Sequence, residues 1–171
     1  MSNPVFEAVR TVLAVREFQS RPIPEESLRR IVESAHLTAS ARNSQPWHFV
    51  VVTERDELRD LGALVRTGPY IAGAGAAIVV AYEKENAYGF SDASRAIQSM
   101  ILAAWGEGIA SNWTGFGGME GVRKKVGMPD TYDVLAVIPF GYPARPVGKG
   151  KKKRKPIGEV VSSGKFGTPF A

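Results

Sequence analysis

Cysteine is absent from this sequence of 171 residues, and histidine occurs only twice, at His36 and His48. The absence of cysteine excludes a disulfide scaffold, a thiolate zinc site and a cysteine nucleophile. A metal site would need carboxylate ligands, and no spacing of acidic residues suggests one. We therefore predict no metal. We also expect neither histidine to be catalytic, because His48 begins a strand pattern and His36 lies late in a helix pattern.

Long apolar runs are also missing. The longest, residues 76–82, is much shorter than the roughly 20 residues that a membrane span requires. The first residues contain a proline and polar side chains and lack the apolar segment of a signal peptide. We therefore expect a cytoplasmic protein with no membrane partner.

Acidic side chains are absent from residues 149–155, which hold six of the 22 basic residues. The rest of the chain has 16 basic and 17 acidic residues and is nearly neutral. Such local charge favours one small anionic partner over a broad nucleic-acid face. A basic arm for nucleic acid or another anionic surface is the alternative, but no aromatic platform accompanies it. We predict no nucleic-acid partner.

The pattern of apolar residues predicts helices and strands in irregular order. Helix spacing covers residues 4–15, 25–37, 92–106 and 120–126, and a capping-box pattern at Thr53 and Asp56 predicts another helix. Strands are predicted at residues 48–52, 76–82, 110–114 and 134–141, with a polar loop at 38–46 and a glycine-rich turn at 115–118. This order is typical of an α+β fold. No linker is visible, so we expect a single domain over 1–171, whose tail (156–171) is either disordered or laid over a partner subunit.

Three segments carry the strongest functional signal. They are VREF at 15–18, SARNSQPWHF at 40–49, and GYP at 141–143 followed by KKRKP at 152–156. In this order and at these separations they resemble the nitroreductase family of FMN-dependent oxidoreductases, over about residues 5–160. The resemblance implies a nitroreductase-like α+β fold with a central, mainly antiparallel sheet flanked by helices. It also implies a homodimer that binds FMN at its interface, so that both subunits contact each flavin.

The resemblance implies an activity as well. NAD(P)H would reduce the flavin, and a small planar acceptor such as a nitroaromatic or a quinone would then take the electrons. The flavin carries this chemistry, so no catalytic side chain is predicted. Val12 and Ala14 stand where the family usually has arginine and serine. The alternative is therefore a flavin-binding protein of the same fold with weak or no turnover.

The first two segments supply three predicted flavin contacts. Arg16 matches the basic residue that the family directs at the N1–O2 edge of the flavin, where negative charge collects on reduction. A surface ion pair with Glu17 or Glu26 is the other interpretation. Ser40 and Asn43 match the loop that reaches the flavin from the second subunit, although serine and asparagine also favour ordinary turns.

The remaining predicted contacts follow the long helix. Thr114 and Gly115 match the position where a backbone N–H points at flavin N5, and glycine permits a close approach. A plain turn at the end of a strand is the alternative. Lys152 and Arg154 match the pair that binds the FMN phosphate, for which arginine offers a bidentate fork. Within the run 151–155 a shift of one residue is equally compatible with the pattern, and so is a solvated basic tail.

Overall fold

The computed structural model describes residues 3–115, 118–148, 150 and 152–170. The long elements, in chain order, are α1 (Pro4–Thr11), α2 (Glu25–His36), β1 (Trp47–Val52), α3 (Arg55–Leu64), β2 (Ala76–Glu83), α4 (Gly89–Gly106), β3 (Ala110–Ser111), α5 (Glu120–Lys125) and β4 (Tyr132–Gly141). Short 3-10 turns occupy Ala41–Asn43, Pro69–Gly73 and Ile157–Glu159. In the described part of the chain, no helix has the length and apolar character needed to cross a membrane.

The strands form one four-stranded sheet in the order β1-β2-β4-β3, and every neighbouring pair is antiparallel. Strand β2 lies at the centre, and its first six residues are buried. This burial on both faces explains why β2 reads as a continuous apolar run instead of an alternating one. The predicted α+β fold with a mainly antiparallel sheet is confirmed.

Helices cover both faces of the sheet. Helix α4 packs against the sheet on one side and against α2 on the other, as its broad apolar surface predicts. This core includes Ile31, Ile97, Met100, Ile138 and Phe140. Helices α3 and α5 cover the opposite face over a smaller core, which includes Leu58, Leu61, Val79, Val122 and Val137.

Several predicted boundaries are wrong. The first helix ends at Thr11, because Val12 turns to an extended conformation and Ala14 then pairs with Ser111 beside β3. The strand predicted over 110–114 is only two residues long, and Thr114 makes one separate bridge to β4. The capping box does not form, since residue 54 is the N-cap of α3 and no side chain caps it.

The structure describes the glycine-rich turn only in part and describes the tail up to residue 170. Two residues of the glycine-rich turn, 116 and 117, lie outside the described residues. The tail from 156 contains the 3-10 turn and an antiparallel bridge between Ser162 and Pro169, and its side chains are mostly exposed.

Candidate active site

A cavity of about 630 Å³ lies where the chain after α1, the end of β3 and the basic stretch meet. We call it the basic cavity. Residues 12–14, 111–113 and 152–154 line it, together with Gln98 and Ile101 of α4. Its lining combines apolar side chains with three cations, and none of its described lining residues is acidic.

Backbone pairing brings these distant segments together. The Val15 N–H donates to the Ser111 carbonyl at 2.9 Å, which fixes residues 12–15 beside β3. Gly150 then brings the basic stretch against the end of α1. It has a φ of +62°, and a Cβ there would lie 2.4 Å from the Thr11 carbonyl oxygen. This close approach therefore requires glycine.

The basic residues of the cavity have different surroundings. Lys152 is half-buried, and its Nζ donates to the Val9 carbonyl at 2.6 Å. Burial and the neighbouring Arg154 lower the pKa of Lys152. The structure places both predicted residues, Lys152 and Arg154, at the cavity and adds Lys153, which the sequence prediction omitted. The run of like residues gave no signal that could select between neighbouring positions.

Arg16 forms neither of the ion pairs considered from the sequence. Among the described residues, Glu17 pairs with Arg145 and Glu26 pairs with Arg30. The structure therefore leaves the exposed Arg16 guanidinium available for another negative group.

An aromatic ring lies beside Arg16 instead. The guanidinium carbon is 5.9 Å from the centroid of the Tyr70 ring, within the range of a cation–π contact. The Tyr70 hydroxyl accepts a hydrogen bond from the side-chain amide of Asn112, which lines the basic cavity. Arg16 does not itself line the basic cavity, and Tyr70 and Asn112 connect it to the cavity wall. No sequence pattern links these two residues, which lie 42 positions apart.

The two residues predicted near flavin N5 differ in their backbone roles. The Thr114 N–H donates to the Val137 carbonyl at 3.2 Å, so the sheet already uses it. Gly115 has a φ of +91°, and a Cβ there would lie 2.6 Å from the Met119 side chain. No backbone hydrogen bond from the Gly115 N–H appears among the described residues. Of the two predicted donors, Gly115 is therefore the one whose N–H has no backbone partner among the described residues, and neither residue lines the basic cavity.

Ser40 and Asn43 do not line the basic cavity of their own chain. They belong to the loop between α2 and β1, where the Ser40 Oγ accepts the Gln45 N–H at 2.9 Å. Asn43 has a φ of +54°, in the left-handed region. The structure thus separates these two predicted residues from Lys152 and Arg154.

Trp113 is a further cavity residue that the sequence prediction did not single out as a ligand. Its indole nitrogen is buried, and it has no hydrogen-bond partner among the described residues. Most buried polar groups are hydrogen-bonded, and this indole N–H is an exception among the described residues.

Comparison with known proteins agrees with the fold. The model of the nitroreductase family matches residues 10–83 and 66–142. A protein of Methanothermobacter thermautotrophicus, named as an NADH dehydrogenase/NAD(P)H nitroreductase, is 34% identical over 152 residues, which cover 84% of this chain and 80% of that protein. The chain therefore belongs to the nitroreductase family of oxidoreductases.

Solved structures show the same architecture. A crystal structure of a Bacteroides thetaiotaomicron protein with the same name superposes with a TM-score of 0.89 at 27% identity, over 97% of this chain and 100% of that one. A Desulfovibrio desulfuricans protein, described as a nitroreductase in complex with FMN, has a TM-score of 0.82 at 26% identity, over 97% and 99% of the two chains.

Proposed function

We propose that this protein is an FMN-dependent oxidoreductase that transfers electrons from NAD(P)H, through bound flavin, to small planar acceptors such as nitroaromatics or quinones. The basic cavity is the observation that carries this proposal. It combines apolar walls with Lys152, Lys153 and Arg154 and has no acid among its described lining residues. FMN has the matching chemistry, since it joins a planar, largely apolar ring system to a phosphate dianion.

The donors present in the cavity fit this group. Lys153 and Arg154 would hold the phosphate, for which charged donors form the strongest hydrogen bonds. Asn112 offers a neutral side-chain amide in the lining of the same cavity. The FMN-bound relative with the same fold supports the assignment.

Bound FMN would supply the chemistry of accepting and passing on electrons, and the chain's own residues would bind and orient it. Arg16 would place positive charge at the N1–O2 edge and favour the more negative redox state. Gly115 would offer its backbone N–H at N5. Ser40 and Asn43 would contact the flavin held by the partner subunit.

We also propose a homodimer in which the tail from 156 lies over the partner subunit. Apolar side chains exposed on α1 and on the tail support this arrangement, because a dimer interface would cover them. They are Val5, Phe6, Val9, Ile157, Val160, Phe166 and Phe170. Truncation after Val161 should shift the protein towards monomer in sedimentation experiments and weaken flavin binding. An unchanged dimer with unchanged flavin affinity would contradict the role of the tail.

An absorption titration tests the main proposal. FMN added to the purified protein should give a perturbed flavin band, and anaerobic NADH or NADPH should bleach it. A quinone or nitroaromatic should then restore the band. Binding with negligible bleaching would favour the weak-turnover alternative, for which Val12 and Ala14 in the cavity lining are the motivating residues. No binding at tens of micromolar FMN would overturn the proposal.

A further inference from the structure

The loop between α2 and β1 adopts an unusual backbone conformation. Arg42, Asn43 and Gln45 have φ values of 54°, 54° and 49°, in the left-handed region that residues with side chains rarely occupy. Such conformations cost free energy and persist only where surrounding contacts hold them in place. Specific contacts must therefore hold the loop in this shape.

Contacts within the loop account for part of this shape. The Asn43 N–H donates to the Ser40 carbonyl at 3.1 Å, and the Gln45 N–H donates to the Ser40 Oγ at 2.9 Å. Both hydrogen bonds join residues of the same loop. They do not fix its position relative to the rest of the protein.

Asp92 supplies the missing anchor from α4. One of its carboxylate oxygens accepts the Ala41 N–H at 2.9 Å, across 51 residues of sequence, and Arg95 pairs with the other oxygen. Asp92 is only 1% exposed. A buried carboxylate is costly unless it is hydrogen-bonded, so these two contacts are what make this residue tolerable in the core.

Helix α4 holds the loop at a second point and also reaches the basic cavity. The Thr38 Oγ1 donates to the Ser99 Oγ at 2.7 Å. The neighbouring residues Gln98 and Ile101 line the basic cavity. Helix α4 therefore forms part of the cavity wall in its own subunit and also anchors the loop that is proposed to contact the partner's flavin.

We infer that Asp92 is a positioning residue for flavin binding. By holding the Ala41 N–H, it fixes the turn that presents Ser40 and Asn43, although it does not itself touch the flavin. This inference rests on the proposed function, since the contact it positions is the one proposed between the loop and FMN.

Two substitutions remove the contact from opposite sides. Asp92→Ala deletes the acceptor, and Ala41→Pro deletes the N–H without altering α4. Proline suits position 41 for two reasons. Ser40 has the extended backbone that a residue before proline prefers, and position 41 is the second position of a turn, where proline is common. Asp92→Asn keeps an oxygen that can accept the Ala41 N–H. Ser91→Ala is the matched control, because Ser91 is exposed on the same turn of α4 and bonds only to the Tyr88 carbonyl among the described residues.

The readouts are FMN affinity, from quenching of flavin fluorescence, and amide hydrogen exchange over 38–46 without flavin. Asp92→Ala and Ala41→Pro should weaken FMN binding roughly tenfold, because binding must then also order a loop that has lost a charged hydrogen bond. Asp92→Ala should also expose the loop to exchange. Asp92→Asn and Ser91→Ala should keep both properties close to wild type.

The outcomes separate this inference from the proposed function. If the wild-type protein binds FMN and both contact-deleting variants bind it equally well, the inference is overturned alone. It is also overturned if Asp92→Asn and Asp92→Ala lose affinity equally while Ala41→Pro keeps it, because the carboxylate then acts on the fold and not on the loop. If the wild-type protein binds no FMN, the proposed function and this inference fail together.

Discussion

Lys152 donates from its Nζ to the backbone carbonyl of Val9 at 2.6 Å and so joins the basic stretch to the last turn of α1. The last four carbonyls of a helix have no partner within it, and a lysine is well suited to satisfy one of them. Helix α1 has no fully buried residue, and this contact holds it together with the hydrogen bond from the Trp105 indole to the Thr11 Oγ1. The Nζ of Lys152 therefore makes a structural contact, and we expect Lys153 and Arg154 to contribute more than Lys152 to the proposed phosphate binding.

Substitution of the two predicted phosphate ligands should have different effects. Arg154→Ala should weaken FMN binding about tenfold to a hundredfold, because it removes a charged contact to the phosphate. Lys152→Met should weaken FMN binding less but should increase exchange of the α1 amides. Fluorescence titrations and hydrogen exchange measure the two effects. Riboflavin, which lacks the phosphate, is the control ligand. Equal losses of riboflavin and FMN affinity in Arg154→Ala would contradict a phosphate contact.

The acid stability of the protein should depend on Glu107, at the end of α4. The hydrogen bond from Arg30 and a second one with Ser27 lower the pKa of Glu107 from 4.5 to about 2. Below its unfolded pKa the unfolded chain binds a proton that the folded protein does not, so stability is present above pH 4.5 and is lost as the pH falls towards about 2. Glu107→Gln should therefore make the free energy of unfolding depend less on pH between about 4.5 and about 2.

Urea unfolding at a series of acidic pH values checks this expectation. Wild type should be more stable than Glu107→Gln at neutral pH, and the difference should shrink as the pH falls through the window. Glu85→Gln, on an exposed turn, serves as the control and should follow wild type. A difference that stays constant with pH would show that the carboxylate contributes no charge-dependent stability.

Local patterns were sufficient for the elements that the core specifies. The apolar run of β2 and the broad apolar surface of α4 identify both elements correctly. Each element is buried on two sides, so its sequence is apolar along most of its length. The end of α1 was missed because Val12 and Leu13 continue the helical spacing while they in fact line the basic cavity. Periodicity cannot tell an apolar residue in a helix from one in a cavity wall.

The candidate site depended more on the resemblance than on local pattern. The resemblance predicted that residues near 16 and near 152 lie in one region, although they are far apart in sequence. Tyr70 and Asn112 gave no signal, because only the folded chain brings them together. Asp92 did offer a signal in the sequence, because a carboxylate beside alanines on the buried side of α4 breaks the hydrophobic pattern. Such breaks often mark functional positions.

The Arg16 guanidinium should set the reduction potential of the bound flavin. Arg16→Gln removes positive charge from the proposed N1–O2 edge and should lower the midpoint potential. A tenfold loss of preference for the reduced form corresponds to about 30 mV for a two-electron couple. Spectroelectrochemistry with a reference dye measures this shift.

Tyr70 variants test how Arg16 is held. Tyr70→Leu removes the ring beside the guanidinium and should lower the potential in the same direction, by a smaller amount. Tyr70→Phe keeps the ring and loses only the hydroxyl bonded to Asn112, so it should stay nearer to wild type. A potential unchanged in Arg16→Gln would place the guanidinium away from the flavin.

Restoring the arginine that the family usually has at position 12 should strengthen cofactor binding. Val12 lines the basic cavity together with Lys153 and Arg154, so an arginine there would start close to the proposed phosphate. Arg10 does not fill this role, because its guanidinium pairs with Glu7 at 2.6 Å. Val12→Arg should therefore tighten FMN binding roughly tenfold.

Charge, and not side-chain length, should produce this gain. Val12→Met is the matched control, since methionine is long and flexible but uncharged, and it should leave the FMN affinity near wild type. The gain in Val12→Arg should also shrink as salt is added, because salt screens exposed charges. If Val12→Arg binds FMN no better than Val12→Met at low salt, the phosphate lies elsewhere in the cavity, and the cations at 152–154 alone determine its position.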